Sequence, residues 1–521
     1  MNRLRSHQSA AVAAGREIGK HLDQGSTTVL EVVPGGGKSR CIPLLYSKLQ
    51  KKQRNGVVWL GPRLSLQGQN AQAAAEGVDG KGSLGLRIAD SVDAYLCSPS
   101  EFPDGYSDNY CNLAVNVGKH ISALKAMMFE TGIPPLLVAD EMHHLKRDDG
   151  SVLEPGWSRA FREFENTLHE FAERGEKQVH RLLMTGTPFR TDGAPVYGLE
   201  YGQACEGDLH QFADEDEPFL PKGTFASGIL ERRNKGPNRW IRYSREDAIA
   251  ENAITRIRPY WYDGEVFAED YGASYMMSEA PDRKLALNAA RSFVHETNLD
   301  ASMKPIVSQA YSNLTDYRED FPGAQLIVVC SRQSVVKKMA KWIRETMEPC
   351  AVAISDDAAS KKNIDRFRKG EVNVLVTVAM AYEGMDAPKA THLVFLGSYR
   401  SASWLSQCFA RVWRWGPSNW GSHDRVAHLY LPKDPRMILS CAEIEEDGEQ
   451  PWYGVRLSGH LYQGSDWEEA MDLREDERAV RKLAAREARR LANGQFGKAK
   501  MCAPFTPQRV RGVSAMRGRD F

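Results

Sequence analysis

A short glycine-rich segment near the start of the chain has the composition of a phosphate-binding loop. The segment Pro34–Ser39, with the sequence PGGGKS, directly follows the apolar residues 28–33. A glycine run of this kind lets backbone N–H groups surround phosphate oxygens, and the lysine that follows reaches the terminal phosphates. The hydroxyl of Ser39 is then placed to bind Mg²⁺. The segment predicts a nucleoside triphosphate site.

Two adjacent carboxylates occur about a hundred residues further along the chain. Asp140 and Glu141 directly follow the apolar residues 136–139. One carboxylate at the end of a strand can bind Mg²⁺, and the other can act as a base for an attacking water molecule. The two motifs, in this order and at this spacing, predict that the chain hydrolyses a nucleoside triphosphate.

The composition is that of an ordinary globular protein, with 521 residues, 42% hydrophobic and 26% charged. This length predicts three or four domains. The formal net charge is zero, so that attraction to nucleic acid would have to come from local patches. One such patch follows Val480, where the sequence has eleven Lys and Arg residues and only two acidic residues, Glu487 and Asp520. It is either a local site for phosphate groups or a solvated helix face.

Several classes of protein are excluded by the same sequence. The nine cysteines include no C-x₂-C pair and the histidines show no HExxH spacing, so we expect no zinc site. No apolar run approaches the roughly 18–20 residues of a membrane span, and the N-terminus lacks the apolar core of a signal peptide. We therefore expect a cytoplasmic protein without a membrane segment.

Apolar strand candidates alternate with amphipathic helices in two blocks of the chain, which predicts an α/β protein with parallel sheets. The candidates are residues 28–33, 56–61, 136–139 and 181–184 in the first block, and 325–330, 352–354, 373–378, 392–396 and 427–431 in the second. Between the blocks, residues 205–320 are rich in aromatic side chains and suggest an accessory insertion. Residues 466–492 predict a long charged helix.

The ordered set of motifs resembles that of superfamily 2 helicases and translocases, ATPases built from two RecA-like domains with the nucleotide in the cleft between them. The resemblance covers residues 4–69, 136–190 and 326–415, and His143 makes the second motif DExH-type. It implies two tandem RecA-like parallel-sheet domains with an accessory insertion and a helical, basic C-terminal extension. The implied boundaries are 1–204 for the first RecA-like domain, 205–322 for the insertion, 323–440 for the second domain, and 441–521 for the extension.

The resemblance also implies roles for individual residues. Those assigned to ATP binding are Arg5, Gln8, Pro34, Gly35, Gly36, Gly37, Lys38, Ser39, Gly384 and Asp386. Ser39 and Asp140 are the implied Mg²⁺ ligands, Glu141 is the base, and Lys38 is counted with the catalytic residues. The residues expected to couple nucleotide state to the rest of the domain are His143, Thr185 and Thr187. At the start of the phosphate loop, Val32 replaces the usual Ala or Gly of the family.

The remaining implied catalytic residues belong to the segment 407–414. It matches the pattern Q-x-x-G-R-x-x-R through Gln407, Arg411 and Arg414, with Ala410 in place of the glycine. Two arginines three residues apart would share one face of a helix. By resemblance, they would cross the cleft between the domains and neutralise charge on the γ-phosphate, an effect of roughly 10³–10⁵ in rate for such arginines in general.

The residues expected to contact nucleic acid are Pro62, Arg63, Arg332 and Thr377. Contacts of this kind position a strand without reading its sequence. Four tryptophans, Trp404, Trp413, Trp415 and Trp420, could stack on bases or could simply form core. The resemblance thus predicts ATP and Mg²⁺ as ligands and nucleic acid as the substrate.

Three functions remain open on the sequence alone. The first is an ATP-driven helicase or translocase that acts on DNA, which we favour over RNA. The second is an RNA helicase, since the ATPase motifs do not separate the two. The third is an ATP-switched nucleic-acid-binding subunit of a larger defence or repair complex, with a protein partner bound through the insertion or the basic tail.

Overall fold

A computed structural model of the chain describes most of residues 4–446 and two short segments beyond them. The described residues are 4–21, 24–49, 53–62, 64–76, 85–129, 132–146, 156–186, 188, 196–199, 201–202, 229–230, 234–268, 273–280, 283–354, 357–378, 385, 387–416, 420, 425–446, 496–500 and 508–509. The predicted long helix at 466–492 lies outside them.

Strands and helices alternate along most of the described chain. The strands are β1 (Ser26–Val32), β2 (Val57–Gly61), β3 (Gly105–Asn109), β4 (Leu136–Asp140), β5 (His180–Thr185), β6 (Tyr201–Gly202), β7 (Ile229–Leu230), β8 (Arg239–Tyr243), β9 (Arg256–Tyr262), β10 (Glu265–Ala268), β11 (Ala273–Met276), β12 (Gln325–Cys330), β13 (Cys350–Ala353), β14 (Val374–Val378), β15 (Ala390–Leu396), β16 (Val426–Pro432), β17 (Phe496–Lys500) and β18 (Gln508–Arg509). Every strand candidate of the sequence corresponds to one of these strands.

The helices follow the same chain order. They are α1 (Ser6–Ile18), α2 (Cys41–Tyr46), α3 (Leu64–Glu76), α4 (Val92–Cys97), α5 (Tyr110–Met128), α6 (Gly156–Arg174), α7 (Arg245–Ala250), α8 (Arg283–Phe293), α9 (Lys304–Asp320), α10 (Gln333–Thr346), α11 (Ser360–Lys369), α12 (Ala402–Phe409) and α13 (Pro435–Glu446). None of the helices in the described part of the chain is both long and apolar enough to cross a membrane.

The first of two compact units is built on a six-stranded sheet. This unit comprises the described residues up to 202 together with residues 229–251. The strand order is β3-β2-β4-β5-β1-β8, and every pairing is parallel. The strands β2 and β4 are buried along their whole length because helices cover both faces, which explains why they are apolar runs without alternation.

The second unit begins at Asn252 and has its own sheet. Six parallel strands are arranged in the order β13-β14-β12-β15-β16-β9, and the short strand β18 adds to β9 in the antiparallel direction. The expected α/β fold with two tandem parallel sheets is therefore confirmed. A separate three-stranded sheet, β11-β10-β17, belongs to the same unit.

The predicted insertion at 205–322 does not form a region of its own in the described chain. Strand β8 pairs with β1 in the first sheet, and β9 pairs with β16 in the second. The reason is that β1 and β16 would otherwise be edge strands, so each takes its last parallel neighbour from this stretch. The predicted boundary at 440 falls within helix α13.

The core of the second unit contains two histidines that stack face to face. The rings of His392 and His428, on the neighbouring strands β15 and β16, lie 4.2 Å apart with an angle of 7° between their planes. Burial, together with the nearby Arg258, lowers the pKa of His428 to about 3. Tyr260 supports this neutral ring through a contact of 3.0 Å between its hydroxyl and Nδ1 of His428.

We expect the second unit to lose stability when the pH falls below about 6.5. The unfolded chain takes up a proton at His428 near that pH, whereas the folded chain does so only near the depressed value, so that the stability is full above pH 6.5 and decreases below it. The loss at pH 5 is about 2 kcal/mol for one such histidine. Hydrogen exchange of peptides that cover β15 and β16, at pH 7 and pH 5, measures it.

The matched variant is His428→Gln, which keeps a polar partner for Tyr260 but has no group that titrates in this range. Its protection should depend less on pH than that of the wild type. His169→Gln, which changes a half-exposed histidine of the first unit, serves as the control. An identical pH dependence in wild type and His428→Gln would contradict the explanation.

Candidate nucleotide site

The glycine-rich segment forms a loop between β1 and a single turn of 3₁₀ helix at Lys38–Arg40. Gly35 and Gly37 have φ angles of 86° and 93°, a region that favours glycine. A β-carbon on Gly36 would lie 2.7 Å from Cγ1 of Val32 and 2.9 Å from the carbonyl oxygen of Val33. The three glycines are therefore required by the backbone, which is shaped as a phosphate cradle requires.

The lysine of this loop makes ion pairs with both carboxylates of the second motif. Lys38 Nζ lies 3.0 Å from Oδ1 of Asp140 and also donates a hydrogen bond to Oε1 of Glu141. The two motifs meet because β1 and β4 flank β5 in a parallel sheet, so that their carboxyl ends share one edge. The sequence predicted each motif, and the structure brings them together.

One ammonium group contacts two carboxylates at this site, of which Asp140 is buried and Glu141 is partly buried. Burial alone would lower the pKa of Lys38, but the carboxylates of Asp140 and Glu141 outweigh that effect and raise it. Burial would raise the pKa of Glu141, but Lys38 and His143 outweigh it and lower the pKa to about 2. Burial raises the pKa of Asp140 against the opposing effect of Lys38. The site thus holds a negative charge that one lysine only partly compensates.

The backbone around the carboxylates is strained and fixed. Glu141 has a φ angle of 49°, in the left-handed region that non-glycine residues seldom adopt, and it begins a 3₁₀ turn at Met142–His144. Its N–H donates to Oδ1 of Asp140 at 2.9 Å, and the hydroxyl of Tyr110 donates to the Asp140 carbonyl at 2.8 Å. Strain of this kind is concentrated at functional sites.

His143 contacts the motif at the end of the neighbouring strand β5. Its Nδ1 lies 3.0 Å from the hydroxyl of Thr185 and 3.5 Å from Oε2 of Glu141. The hydroxyl of Thr185 thus contacts a histidine that is itself next to the carboxylate of Glu141. His143 therefore lies between Glu141 and the end of β5, a position suited to coupling the two. Thr187 lies outside the described residues.

The donor set fits a hard divalent cation. The carboxylate of Asp140 and the hydroxyl of Ser39 are oxygen ligands of the kind that Mg²⁺ prefers. In the described part of the chain, no group of three or more His, Cys, Asp or Glu residues could enclose a metal ion.

The start of helix α1 lies against the phosphate loop. The guanidinium of Arg5 donates to the carbonyl oxygen of Gly36 at 2.8 Å, and the Arg5 N–H donates to Oε1 of Gln8 at 3.1 Å. A β-carbon on Gly37 would lie 3.3 Å from Nη1 of Arg5. Arg5 and Gln8, both predicted to bind ATP, are thus next to the loop predicted to bind its phosphates.

Three further residues of this neighbourhood, His7, Tyr243 and Glu251, were not predicted from the sequence. The ring of Tyr243 lies 4.0 Å from that of His7, and its hydroxyl donates to Glu251 at 3.0 Å. Burial, followed by Arg5, lowers the pKa of His7 to about 4, so this ring is neutral at physiological pH. One sequence signal near Tyr243 and Glu251 was available. The capping box of Ser244 and Asp247 marks the start of helix α7 directly after β8.

Arg411 and Arg414 were expected to share one face of a helix, but in the structure they do not. Helix α12 ends at Phe409, before both of them. The backbone instead forms a β-bridge between Arg414 and Ile254, and the intervening side chain of Trp413 is buried in the core. Arg411 donates to the carbonyl oxygens of Met385 at 2.7 Å and Gln407 at 3.2 Å. The tertiary pairing ends the helix that the spacing alone would have continued.

Comparisons with known proteins agree with the two-sheet fold. Residues 309–416 match the family model of the helicase conserved C-terminal domain. The fold is similar to that of the ATP-dependent Type ISP restriction-modification enzyme LlaBIII bound to DNA, with a TM-score of 0.50 and 13% identity, over 88% of this chain and 30% of that one. The chain has the tandem RecA-like α/β fold that is found in helicases. Its two parallel-sheet units are the two tandem RecA-like domains of that fold.

Two further proteins are similar to large parts of this chain. The DEAD-box helicase Mss116 bound to single-stranded RNA has a TM-score of 0.49 and 13% identity, over 84% of this chain and 72% of that one. An uncharacterised protein of Mycobacterium leprae is 24% identical over 315 residues, which are 60% of this chain. The aligned region covers 44% of that relative, less than half of its length.

Three of the residues expected to contact nucleic acid lie at or just after the carboxyl ends of strands. Pro62 is buried directly after β2, and Arg332 precedes helix α10 after β12. Thr377 is fully buried in β14, where its hydroxyl donates to the carbonyl oxygen of Ala353 at 2.8 Å. The side chain of Thr377 therefore joins two strands of the sheet in this structure.

Five further predicted residues fall into two groups. Trp413 and Trp420 are buried in the second unit, so for these two the core interpretation is correct. Arg63, Gly384 and Asp386 lie outside the described residues, and the expected roles of these three remain predictions.

Proposed function

We propose that the chain hydrolyses ATP and uses the reaction to move along nucleic acid, with DNA favoured over RNA. The observation that carries this proposal is the position of Lys38, at the end of a glycine loop and in contact with both Asp140 and Glu141. A structural ion pair needs no such loop. A lysine that neutralises two carboxylates without a nucleotide, and phosphates when one is bound, accounts for both features.

Nucleotide binding would redistribute the charges of this site. The phosphates attract Lys38 away from Glu141, because several phosphate charges outweigh one carboxylate. Glu141 then loses its cationic partner and can accept a hydrogen bond from the attacking water. When Mg²⁺ is bound at Ser39 and Asp140, it supplies positive charge to the phosphate oxygens.

The contacts of Arg5 and Gln8 favour adenine as the base. Gln8 presents an amide, which can donate to and accept from the edge of an adenine. Its Oε1 is held by the Arg5 N–H at 3.1 Å, and this contact orients the amide. We therefore propose ATP rather than another nucleoside triphosphate as the substrate.

The nucleic-acid part of the proposal rests on the helicase C-terminal match and on the fold. DNA is favoured because the Type ISP restriction-modification enzyme LlaBIII, which has a similar fold, is bound to DNA. We further propose that Arg332 contacts the phosphate backbone from the start of helix α10, where free N–H groups also attract phosphate.

The experiment that tests this function is ATP hydrolysis in the presence of single-stranded DNA, duplex DNA and RNA. We expect hydrolysis without nucleic acid to be slow and single-stranded or duplex DNA to stimulate it at least about tenfold. Stimulation by RNA alone would identify an RNA helicase. Hydrolysis that no nucleic acid stimulates would contradict the proposal.

Strand separation distinguishes a motor from a switch. A fluorescently labelled duplex with a single-stranded overhang, incubated with the protein and ATP, reports unwinding directly. Unwinding or displacement of a bound protein supports a motor. ATP-dependent binding to DNA with neither activity would instead support a subunit that switches partners in a larger complex.

A further inference from the structure

The carboxylate of Glu251 joins two parts of the nucleotide site. Its two oxygens lie 3.1 Å and 3.2 Å from the backbone nitrogen of Ser6, which donates to them. The hydroxyl of Tyr243 donates to the same carboxylate at 3.0 Å. Glu251 directly follows helix α7 and is separated from Ser6 by 245 positions in the sequence.

Both partners of Glu251 bear on the phosphate loop. Ser6 is the first residue of helix α1 and lies between Arg5, which contacts Gly36, and Gln8. Tyr243 lies beneath the loop, because a β-carbon on Gly36 would be 3.1 Å from its ring. A carboxylate at the start of a helix is also stabilised by the free N–H groups and the helix dipole.

The residues that follow Glu251 attach to the segment that carries the two arginines. Ile254 forms a β-bridge with Arg414, and the Thr255 N–H donates to the carbonyl oxygen of Trp413 at 2.6 Å. Asn252, between these attachments, has a φ angle of 54°, which fixes a turn at the start of the second unit. Only three residues separate Glu251 from Thr255, so this segment, residues 251–255, has little slack.

We infer that Glu251 is a positioning residue and that the segment 251–255 transmits the presence of the adenine base to the arginine segment. The inference rests on the proposed ATPase function and deepens it. A base that binds Arg5 and Gln8 displaces the start of helix α1. Glu251 moves with it, because its carboxylate accepts the hydrogen bond from the Ser6 N–H. The short covalent segment carries this displacement to the backbone of Trp413 and Arg414.

This arrangement makes the identity of the base matter for the rate and not only for binding. A guanine nucleotide offers the same phosphates to the loop but a different edge to Gln8. It therefore leaves the start of α1, and with it the segment 251–255, in the resting arrangement. We expect the wild type to hydrolyse ATP with a kcat at least about tenfold above that for GTP.

The first test compares kcat and KM for ATP and GTP in wild type, Glu251→Ala and Glu251→Gln. Glu251→Ala should lower kcat for ATP to within about threefold of that for GTP, because the base no longer acts on the arginine segment. Glu251→Gln keeps one oxygen for the Ser6 N–H and should show a smaller loss. Glu246→Gln removes a charge from the exposed face of the same helix and should behave as wild type.

The second test lengthens the segment without altering either attachment. Two glycines inserted after Asn252 leave the contacts of Glu251 and Ile254 in place but add slack between them. Equilibrium binding of a non-hydrolysable ATP analogue should be unchanged, whereas the ratio of kcat for ATP to kcat for GTP should fall to near one. This variant also decides the matter if Glu251→Ala proves too unstable to assay.

The outcomes separate this inference from the function on which it rests. A wild type that hydrolyses no nucleotide under any condition contradicts the ATPase itself. A wild type that hydrolyses ATP and GTP with equal kcat contradicts the inference alone. So does a ratio that survives both Glu251→Ala and the insertion. A purely structural Glu251 would lower Tm and change the constants for ATP and GTP to the same extent.

Discussion

Glu141→Gln is expected to lower kcat for ATP hydrolysis by roughly 10²–10⁴-fold, the usual contribution of a general base, while ATP remains bound. The amide is nearly the same size as the carboxylate, so it fits the left-handed turn at this position, but it cannot accept a proton. Single-turnover hydrolysis and equilibrium binding of ATP measure the two effects separately. Wild-type turnover in this variant would show that another group activates the water.

Lys38→Ala provides the contrast, because it should weaken ATP binding as well as stop hydrolysis. The phosphates lose their fixed cation, and the largely buried carboxylates of Asp140 and Glu141 lose their shared partner. Without nucleotide, the variant should therefore also show a lower Tm at pH 7 than Glu141→Gln. Equal binding of ATP by the two variants would contradict the role assigned to Lys38.

The double variant Arg411→Ala/Arg414→Ala is expected to lower kcat by roughly 10³–10⁵-fold with little change in ATP binding. By resemblance, these arginines neutralise charge that develops on the γ-phosphate, so they act on the reaction more than on the bound nucleotide. The single variants should each cost nearly as much as the pair, because residues that act as one unit are not additive. Steady-state kinetics with saturating nucleic acid measure all three.

The controls for this prediction separate charge from packing. Arg411 also holds the carbonyl oxygens of Met385 and Gln407, so its loss could disturb the local backbone. Circular dichroism and Tm of each variant report such a disturbance. Lys341→Ala, on an exposed part of helix α10, removes a positive charge from the same unit without touching the site. Full turnover by the double variant would remove these arginines from the mechanism.

The central strands and the phosphate loop could be predicted because their signals are local. Strands β12 and β4 are fully buried and apolar at all but one position each, and the glycine-rich loop comes shortly after the largely apolar strand β1. The ends of parallel strands share one edge of a sheet, so the meeting of Lys38 with Asp140 followed from the order of motifs alone.

The added strands β8 and β9 could not be recognised in the same way. Their sequences, RWIRY and RIRPYWY, combine arginines with aromatic residues and are only partly buried. Such strands resemble an irregular aromatic stretch until a partner strand is known. The end of α12 and the contact of Glu251 with Ser6 were hidden for a related reason, because the partners are more than a hundred residues apart in sequence.

The placement of β8 has a consequence for the synthesis of the protein. Strand β1, which leads into the phosphate loop, pairs with β5 on one side and with β8 on the other. While the chain is being made, one edge of this apolar strand stays unpaired from the time β5 docks until residue 243 has left the ribosome. Exposed strand edges of this kind promote aggregation. A chain that ends at residue 204 would keep that edge permanently, so fragments meant to retain the nucleotide site should extend through Glu251.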